Sequence, residues 1–261
     1  MPFATKRTTT KTTTRTAADG TVTTTIETTT ASTPKPFDIT LYLAGTPNGK
    51  KASIALEELS QAYGITYNVR SIDFSKVEQK EEWFLKINPN GRIPAIVDHA
   101  RGDFAVFESG AILLYLAEHY DPEGVLLSKD ADERSTAVQW VMWQMGGLGP
   151  MQGQAGHFNG AAEKIPYAIN RYTDETKRLY SVMERAFSDG REYLAGNKYS
   201  IADISSFTWT AYHQFSLGKD FTLEEYPLVN KWLHKIAQRN AVVAGMNVPT
   251  KITLLENDFK A

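Results

Sequence analysis

The hydrophobic pattern of the first half of the chain alternates between strand and helix periods. Residues 37–43 alternate apolar and polar positions and predict a strand, and residues 52–63 have the spacing of an amphipathic helix. The β-branched run at residues 67–72 predicts another strand. Because a strand, helix, strand unit normally forms a right-handed parallel pair, we expect these two strands to share a sheet.

The pattern then predicts a short helix, a hairpin and a longer helix. These elements cover residues 80–86, residues 94–98 with 105–107, and residues 110–119. The order βαβ-α-ββ-α is the thioredoxin-like arrangement, here without a cysteine pair. The turn-rich Asp121-Pro122-Glu123-Gly124 sequence indicates a linker after it.

Helical periods fill the second half of the chain, at residues 132–145, 167–187, 201–215, 225–239 and, as a last short turn, 241–247. The glycine-rich sequence ending at Pro150 is expected to kink or end the first of these helices, and His157 is expected to lie in a loop after it. We therefore predict an α/β domain at residues 36–121 and an all-helical domain at residues 130–250.

Residues 1–35 differ from the rest in composition. Threonine dominates, and five basic residues against two acidic ones give a net charge of +3. With little apolar surface to bury, the segment is predicted to be a disordered tail. A mitochondrial presequence is less favoured because the apolar helical face is missing, and strand pairing by residues 21–30 is a further alternative.

Composition excludes several classes of function. No run approaches the roughly 18 apolar residues of a membrane helix. A net charge of -2 and a pI near 6.2 argue against nucleic-acid binding. The sequence has no cysteine, so disulfides, thiolate metal sites and protein-borne redox thiols are excluded, and the histidines have no paired metal-ligand spacing. Any thiol chemistry must use a bound ligand.

Residues 88–120 combine two binding features. Pro94 opens a predicted strand, where its missing N–H is tolerated, and it is a candidate for a cis bond that leaves the backbone of Ile93 free to pair with an extended peptide. Ser109 stands at or beside the N-cap of the next helix, where amides and the helix dipole favour an anion. This stretch predicts a site for an anionic peptide.

A second candidate site is Thr46-Pro47-Asn48-Gly49, which precedes a predicted helix. A hydroxyl, an amide donor and a helix N-terminus together lower the pKa of a bound thiol. The alternative is a tight turn with Asn48 as a helix cap, and the spacing alone favours this alternative.

These motifs, together with the Ser200-to-Asp203 capping box, resemble the cytosolic glutathione transferases over residues 37–248. Thr46-Pro47-Asn48-Gly49, Gly149-Pro150-Met151 and His157-Phe158-Asn159 resemble the nu class and the fungal nitrogen-regulator-like branch. The resemblance implies a thioredoxin-like domain followed by a glutathione-transferase helical domain. It also implies a cytoplasmic homodimer that binds glutathione and glutathione disulfide, without metal, nucleic acid or membrane.

The resemblance also implies roles for individual residues. Thr46 and Asn48 are expected beside the glutathione sulfur as the catalytic pair. The expected glutathione-binding residues are Gln79, Arg92, Ile93, Pro94, Glu108, Ser109 and Arg171. Alternatives remain: Glu108 and Ser109 as a plain capping pair, Arg171 as a surface charge, Tyr42 as a packing residue, and Ser53 as a minor candidate for the sulfur.

The resemblance implies glutathione-dependent disulfide-bond reduction, with peroxidase activity as a second outcome and a small electrophile or disulfide as co-substrate. Because the chain has no cysteine, both sulfurs of the exchange must belong to ligands. A glutathione-fold regulator or ligand carrier with little turnover is the alternative.

Overall fold

The computed structural model describes the backbone of residues 4–16 and 22–34 and, continuously, residues 37–251. Its strands are β1 (Ala4–Thr16), β2 (Val22–Pro34), β3 (Ile39–Leu43), β4 (Tyr67–Ser71), β5 (Ala95–Asp98) and β6 (Phe104–Phe107). Its helices are α1 (Pro47–Tyr63), α2 (Glu82–Leu85), α3 (Ser109–Tyr120), α4 (Ala131–Trp143), α5 (Gly149–Gly160), α6 (Pro166–Phe187), α7 (Ile201–Thr210), α8 (His213–Leu217), α9 (Pro227–Ala237) and α10 (Asn240–Met246).

The first half folds as a four-stranded mixed sheet in the order β4-β3-β5-β6. Strands β3 and β4 are parallel across α1, as the strand, helix, strand pattern predicts, and β5 and β6 form the expected hairpin. Strand β5 pairs antiparallel to β3. With α1 and α3 packed beside the sheet, this is the thioredoxin-like arrangement, and an all-helical half follows it.

The described backbone of the threonine-rich segment differs from the predicted disordered tail. Strand β1 pairs antiparallel with β2 in a continuous register from Ala4 opposite Pro34 to Thr16 opposite Val22. Threonine is β-branched and favours extended backbone, so a sequence that cannot build a helix or a core still forms a ladder. The remaining residues of the predicted tail lie outside the described part, and the proposed domain bounds stay predictions.

Helix α1 begins five residues earlier than the apolar pattern predicts. Thr46 is its N-cap, and the hydroxyl accepts a hydrogen bond from the Gly49 amide at 3.4 Å, with Pro47 in the first turn. Proline suits this position because its missing N–H has no helical partner there. The polar motif that suggested a turn therefore forms the first turn of the helix.

The loop predicted around His157 is a helix, and the glycine-rich sequence before it lies largely in a π-helix. A π-helix at Gln144–Leu148 joins α4 to α5, and His157 lies on α5 rather than in a loop. Pro150 sits in the first turn of α5, where proline costs no hydrogen bond. A local π-helix widens the helix without ending it, so the chain stays helical through the glycines and the proline.

One continuous apolar core runs through both halves of the molecule, from Leu41 in β3 to Trp232 in α9. Helix α1 lies at its centre, packed against α3, α7 and α10. The contact with α10 is closest at Gly245, where a Cβ would lie 2.6 Å from the backbone of Ile54. Within the described residues, the helices are too short or too polar to cross a membrane.

The predicted capping box at the start of α7 is confirmed. The Ser200 hydroxyl accepts a bond from the Ala202 amide at 3.2 Å, and the buried Asp203 carboxylate accepts one from the Ser200 amide at 3.0 Å. Asp203 also accepts from the Leu194 amide and from Trp232 Nε1, both at 2.9 Å. It is therefore the polar centre of the helical half and touches neither cavity of the candidate site.

Candidate functional site

A cavity of about 440 Å³ opens between the N-terminus of α1 and the segment before β5. Its lining comprises Thr46, Pro47, Asn48, Phe74, Gln79, Lys80, Gly91, Arg92, Ile93 and Trp209. The two candidate stretches, forty residues apart in sequence, thus face one space. We call it the first cavity.

Asn48 is fixed by the helical half of the chain. Its side-chain oxygen Oδ1 accepts a hydrogen bond of 2.9 Å from Trp209 Nε1 on α7. Because an indole N–H can only donate, the amide orientation is unambiguous, and the Nδ2 hydrogens lie on the other side of the group. Thr46, and not Asn48, caps α1. The alternative that Asn48 is the helix cap is therefore wrong.

A second cavity of about 400 Å³ adjoins the first and shares Asn48, Arg92 and Trp209 with it. Its remaining lining is Glu108, Gln144, Met145, Gly149, Pro150, Gly153 and Gln154. Most of these residues come from the π-helix and α5. Part of the segment that was predicted to be a loop around His157 therefore builds one wall of the site as helix α5.

Glu108 has an unusual backbone conformation. Its φ of 70° lies in the region that residues other than glycine rarely occupy. Such a conformation costs on the order of 1–3 kcal/mol and concentrates at functional sites. Glu108 occupies the N-cap position of α3 without a side-chain capping bond. The pair Glu108 and Ser109 is therefore not a plain cap, and the carboxylate borders the second cavity.

The Ser109 hydroxyl is hydrogen-bonded to a buried lysine. Lys51, on the second turn of α1, is completely buried and donates to Ser109 Oγ at 3.2 Å. The same ammonium donates to Gln144 Oε1 and lies 3.4 Å from Met145 Sδ. This contact set joins α1, α3 and the π-helix beneath the second cavity.

Burial lowers the pKa of Lys51 to about 7, an effect that the Glu108 carboxylate partly opposes. A protonated amine in an apolar interior loses hydration, so the neutral form is favoured relative to an exposed lysine. Near neutral pH, the group beneath Ser109 is thus divided between its charged and neutral forms.

This lowered pKa predicts a pH-dependent stability. Between pH 7 and the ordinary lysine value, the unfolded chain binds a proton that the folded protein lacks, so stability rises with pH by up to about 1.4 kcal/mol per unit from this group. We expect Lys51→Met to flatten the rise in unfolding free energy between pH 7 and 9, measured by urea denaturation. Equal slopes for the two proteins would contradict the assignment.

Most of the other predicted binding residues meet at the two cavities. Ile93 lines the first, and its bond to the buried Pro94 is cis, as predicted. Arg92 is exposed at the junction of the two. Gln79 lies on a 3₁₀ turn at Glu78–Lys80. Within the described part of the chain, its buried Oε1 has no hydrogen-bond partner, which leaves an acceptor beside the first cavity.

Arg171 is the predicted site residue that lies apart. It is exposed on α6 and lines a separate cavity of about 780 Å³ with Tyr167, Asn170 and Arg178 among its neighbours. That cavity shares no lining residue with the other two. Arg171 therefore borders neither of the cavities that Asn48 lines. Its role stays a prediction.

The remaining candidates have structural roles. Ser53 is buried and donates to the Gly245 carbonyl at 2.7 Å, so its hydroxyl faces α10 and not the cavities. Tyr42 packs beside Trp83 and Phe84, with ring centroids 6.1 Å away in each case. His157 is exposed and contacts the Phe158 ring. Among the described residues, no group of His, Asp and Glu could hold a metal ion.

Sequence reasoning missed Lys51 and Gln144 and gave Trp209 no specific role in the site. One sequence feature does point to Lys51: it precedes Ala55 and Leu59 at four-residue spacing, on the helix face that is otherwise apolar. A lysine on a buried face is expensive and indicates a specific partner. The roles of Gln144 and Trp209 depend on the π-helix and on the packing of α7, which no local pattern encodes.

Comparison with known families covers both halves of the chain. Residues 38–118 match the model "Glutathione S-transferase, N-terminal domain", and residues 167–240 match "Glutathione S-transferase, C-terminal domain". The Thr46 motif, the Pro94 segment and Ser109 fall within the first match, and the capping box falls within the second.

Individual relatives agree with these matches. The chain is 45% identical over 208 residues to the disulfide-bond oxidoreductase YfcG of Escherichia coli, covering 78% of this chain and 92% of the relative. A glutathione transferase homologue from Lodderomyces elongisporus, solved with two glutathione molecules per subunit, is 40% identical with a TM-score of 0.75, over 81% of this chain and 99% of that one. A Pseudomonas putida glutathione transferase, solved with one glutathione disulfide per subunit, is 36% identical with a TM-score of 0.75, over 82% and 93%.

Proposed function

The chain belongs to the glutathione S-transferase family, and from that premise we propose that it is a glutathione-dependent enzyme that reduces disulfide bonds. Support comes from the 45% identity to a disulfide-bond oxidoreductase and from relatives solved with glutathione or its disulfide. Support from this chain's own atoms comes from the donors around Asn48 and from the absence of cysteine in the sequence.

The two cavities suit the parts of one glutathione molecule. Ser109, at the N-terminus of α3, suits the γ-glutamyl carboxylate, and the Glu108 carboxylate suits the neighbouring ammonium. The backbone of Ile93 suits the cysteinyl portion by strand-like pairing. Gln79 and Arg92 lie toward the glycyl end, where the arginine supplies a cation for the second carboxylate.

In this pose the sulfur falls at the N-terminus of α1. The Thr46 hydroxyl, the Asn48 Nδ2 hydrogens and the helix dipole all favour a negative charge there. Their common effect is to lower the pKa of the bound thiol. The ligand thus becomes the nucleophile that the protein itself lacks.

Disulfide reduction then proceeds by two exchanges. The glutathione thiolate attacks one sulfur of the substrate disulfide, forms a mixed disulfide and releases the other sulfur as a thiolate, which takes up a proton. A second glutathione thiolate attacks the glutathione sulfur of the mixed disulfide and releases the remaining substrate thiol. The products are one glutathione disulfide and two substrate thiols, so the electrons come from two glutathione molecules.

The observation that carries this proposal is the position of Asn48 at the junction of the two cavities. A glutathione molecule that spans both cavities places its sulfur at this amide, and a substrate disulfide or a second thiol must approach the same amide. Simple conjugation requires only one thiol site, whereas disulfide exchange requires a second sulfur within reach. Volumes of about 440 and 400 Å³ are each in the range of ligand sites.

A homodimer and a cytoplasmic location are further parts of the proposal. Strand β6 lies at the edge of the sheet and exposes Phe104 and Phe107, an arrangement typical of an interface. Glutathione serves as a reductant only where its pool is kept reduced, which favours the cytoplasm.

The proposal predicts glutathione-dependent turnover of a small disulfide such as bis-hydroxyethyl disulfide. The rate of glutathione disulfide formation should rise in proportion to the protein added. This rate is measured as NADPH consumption in the presence of glutathione reductase. A rate no faster than that of buffer would contradict the proposal. Tight glutathione binding without turnover would favour a carrier instead.

A further inference from the structure

The Lys51 ammonium contacts Ser109 in the interior of the protein, away from solvent. Lys51 is fully buried, and its described contacts are the Ser109 and Gln144 oxygens and the Met145 sulfur, with no carboxylate among them. The Glu108 carboxylate acts on this ammonium without forming a direct ion pair with it, and a buried ammonium without a direct ion-pair partner is costly. Two of its three partners, Gln144 and Met145, line the second cavity.

The bond from Lys51 also decides the direction of the Ser109 hydroxyl. In its protonated form Lys51 has only donors, so Ser109 Oγ then accepts from it. The hydroxyl proton is then directed away from Lys51, and its other described contact is the weak acceptor Met145 Sδ at 3.4 Å. A stronger acceptor, such as a carboxylate in the cavity, would receive that proton.

Gln144 gives an independent indication of a ligand. Its Oε1 is bound by Lys51, so its Nε2 must be the free end, and within the described part of the chain this buried Nε2 has no hydrogen-bond partner. A Cβ on Gly149 would lie 2.5 Å from that nitrogen. The absence of a side chain at Gly149 therefore leaves room for the amide itself, and both residues line the second cavity. An orphaned buried donor on a residue that lines a cavity indicates an acceptor that arrives with a ligand.

We propose that Lys51 is a positioning residue for the γ-glutamyl carboxylate of glutathione, acting through Ser109 and Gln144. It orients the Ser109 hydroxyl as a donor, anchors Gln144 by its oxygen, and supplies a buried positive charge beneath the carboxylate. This inference rests on the proposed glutathione function and adds a recognition element from the centre of α1. One helix then serves both ends of the ligand, since Asn48 and Lys51 lie one turn apart.

The test compares two ligands that differ only in the carboxylate. S-methylglutathione carries it, and the analogue in which γ-aminobutyrate replaces the γ-glutamyl residue keeps the amine and lacks the carboxylate. Isothermal titration calorimetry at pH 7 should show that Lys51→Met weakens S-methylglutathione binding about tenfold or more, while the affinity for the analogue stays unchanged. Methionine fills a similar volume without a charge, so the fold is retained.

Lys50→Met is the matched control. Lys50 is equally buried, but its Nζ donates to the carbonyls of Met246 at 2.6 Å and Val248 at 2.5 Å, on the side of α1 that faces α10. Its replacement should lower stability and leave the ratio of the two affinities as in the wild type. Gln144→Met, which removes the oxygen that anchors Lys51, should reduce the same ratio by a smaller factor.

Three results overturn the inference. If Lys51→Met weakens both ligands equally, the lysine supports the fold only. If it weakens neither ligand, the charge plays no part in binding. If the wild-type protein binds S-methylglutathione no better than the analogue, the γ-glutamyl carboxylate contributes nothing to binding. A wild-type protein that binds neither ligand would overturn the proposed function itself, which separates that failure from failure of the Lys51 assignment.

Discussion

Replacing Asn48 with aspartate is expected to lower kcat/KM for glutathione-dependent disulfide reduction by about a hundredfold or more. The side-chain oxygen that accepts from Trp209 is kept, so the link to α7 survives. The Nδ2 donors are lost and a negative charge is placed beside the thiolate. Loss of one preorganised donor to a developing anion typically costs about 10²–10³ in rate, and like-charge repulsion adds to it. The measurement is initial rate against glutathione concentration for both proteins.

The pH profile gives a second readout of the same change. If Asn48 stabilises the thiolate, the apparent pKa of the bound thiol should rise in Asn48→Asp, and the activity should recover partly at higher pH. Ser53→Ala is a suitable comparison because Ser53 bonds the Gly245 carbonyl and lies outside both cavities. Its catalytic constants should match those of the wild type. An Asn48→Asp enzyme with an unchanged rate would exclude the amide from the chemistry.

Replacing Asp203 with alanine is expected to reduce the free energy of unfolding by about 3–5 kcal/mol. The carboxylate is fully buried and accepts from the Ser200 and Leu194 amides and from Trp232 Nε1. Alanine would leave these buried donors unpaired, each at a cost of about 1–3 kcal/mol before relaxation. Urea denaturation should show a lower midpoint with a similar slope.

Asp130→Ala provides the control for that change. Asp130 is the exposed N-cap of α4 and accepts from the Asp132 and Glu133 amides, both at 3.0 Å. Because water replaces an exposed cap, its loss should cost only about 1 kcal/mol. If the two alanine variants unfold at the same urea concentration, the buried capping box contributes no more to the free energy of unfolding than an exposed helix cap.

The parts of the site that local chemistry dictates could be predicted from the sequence. Pro94 at a strand start and Ser109 at a helix start have meanings that depend on a few neighbouring residues. The parallel pairing of β3 and β4 also follows locally, because a strand, helix, strand unit normally forms a right-handed parallel pair. The structure has these features at the predicted positions.

The errors arise where tertiary packing or backbone geometry overrides composition. The residues around His157 suggested a loop, yet they form α5, which a π-helix joins to α4. The burial of Lys51 depends on α1, α3 and the π-helix, which are distant in sequence. Threonine-rich β1 and β2 pair because β-branching favours extended backbone even without a core.

The close approach of α10 to α1 also bears on how such a chain can evolve. The turn at residues 121–124 separates the two halves of the chain and suggests a point at which related proteins could recombine. However, Gly245 leaves room for Ile54, and Lys50 requires the carbonyls at the end of α10. A recombinant that pairs this first half with a foreign last helix would lose both contacts. The segment that carries Asn48 and the segment that supports it, nearly two hundred residues later, are therefore expected to be inherited together.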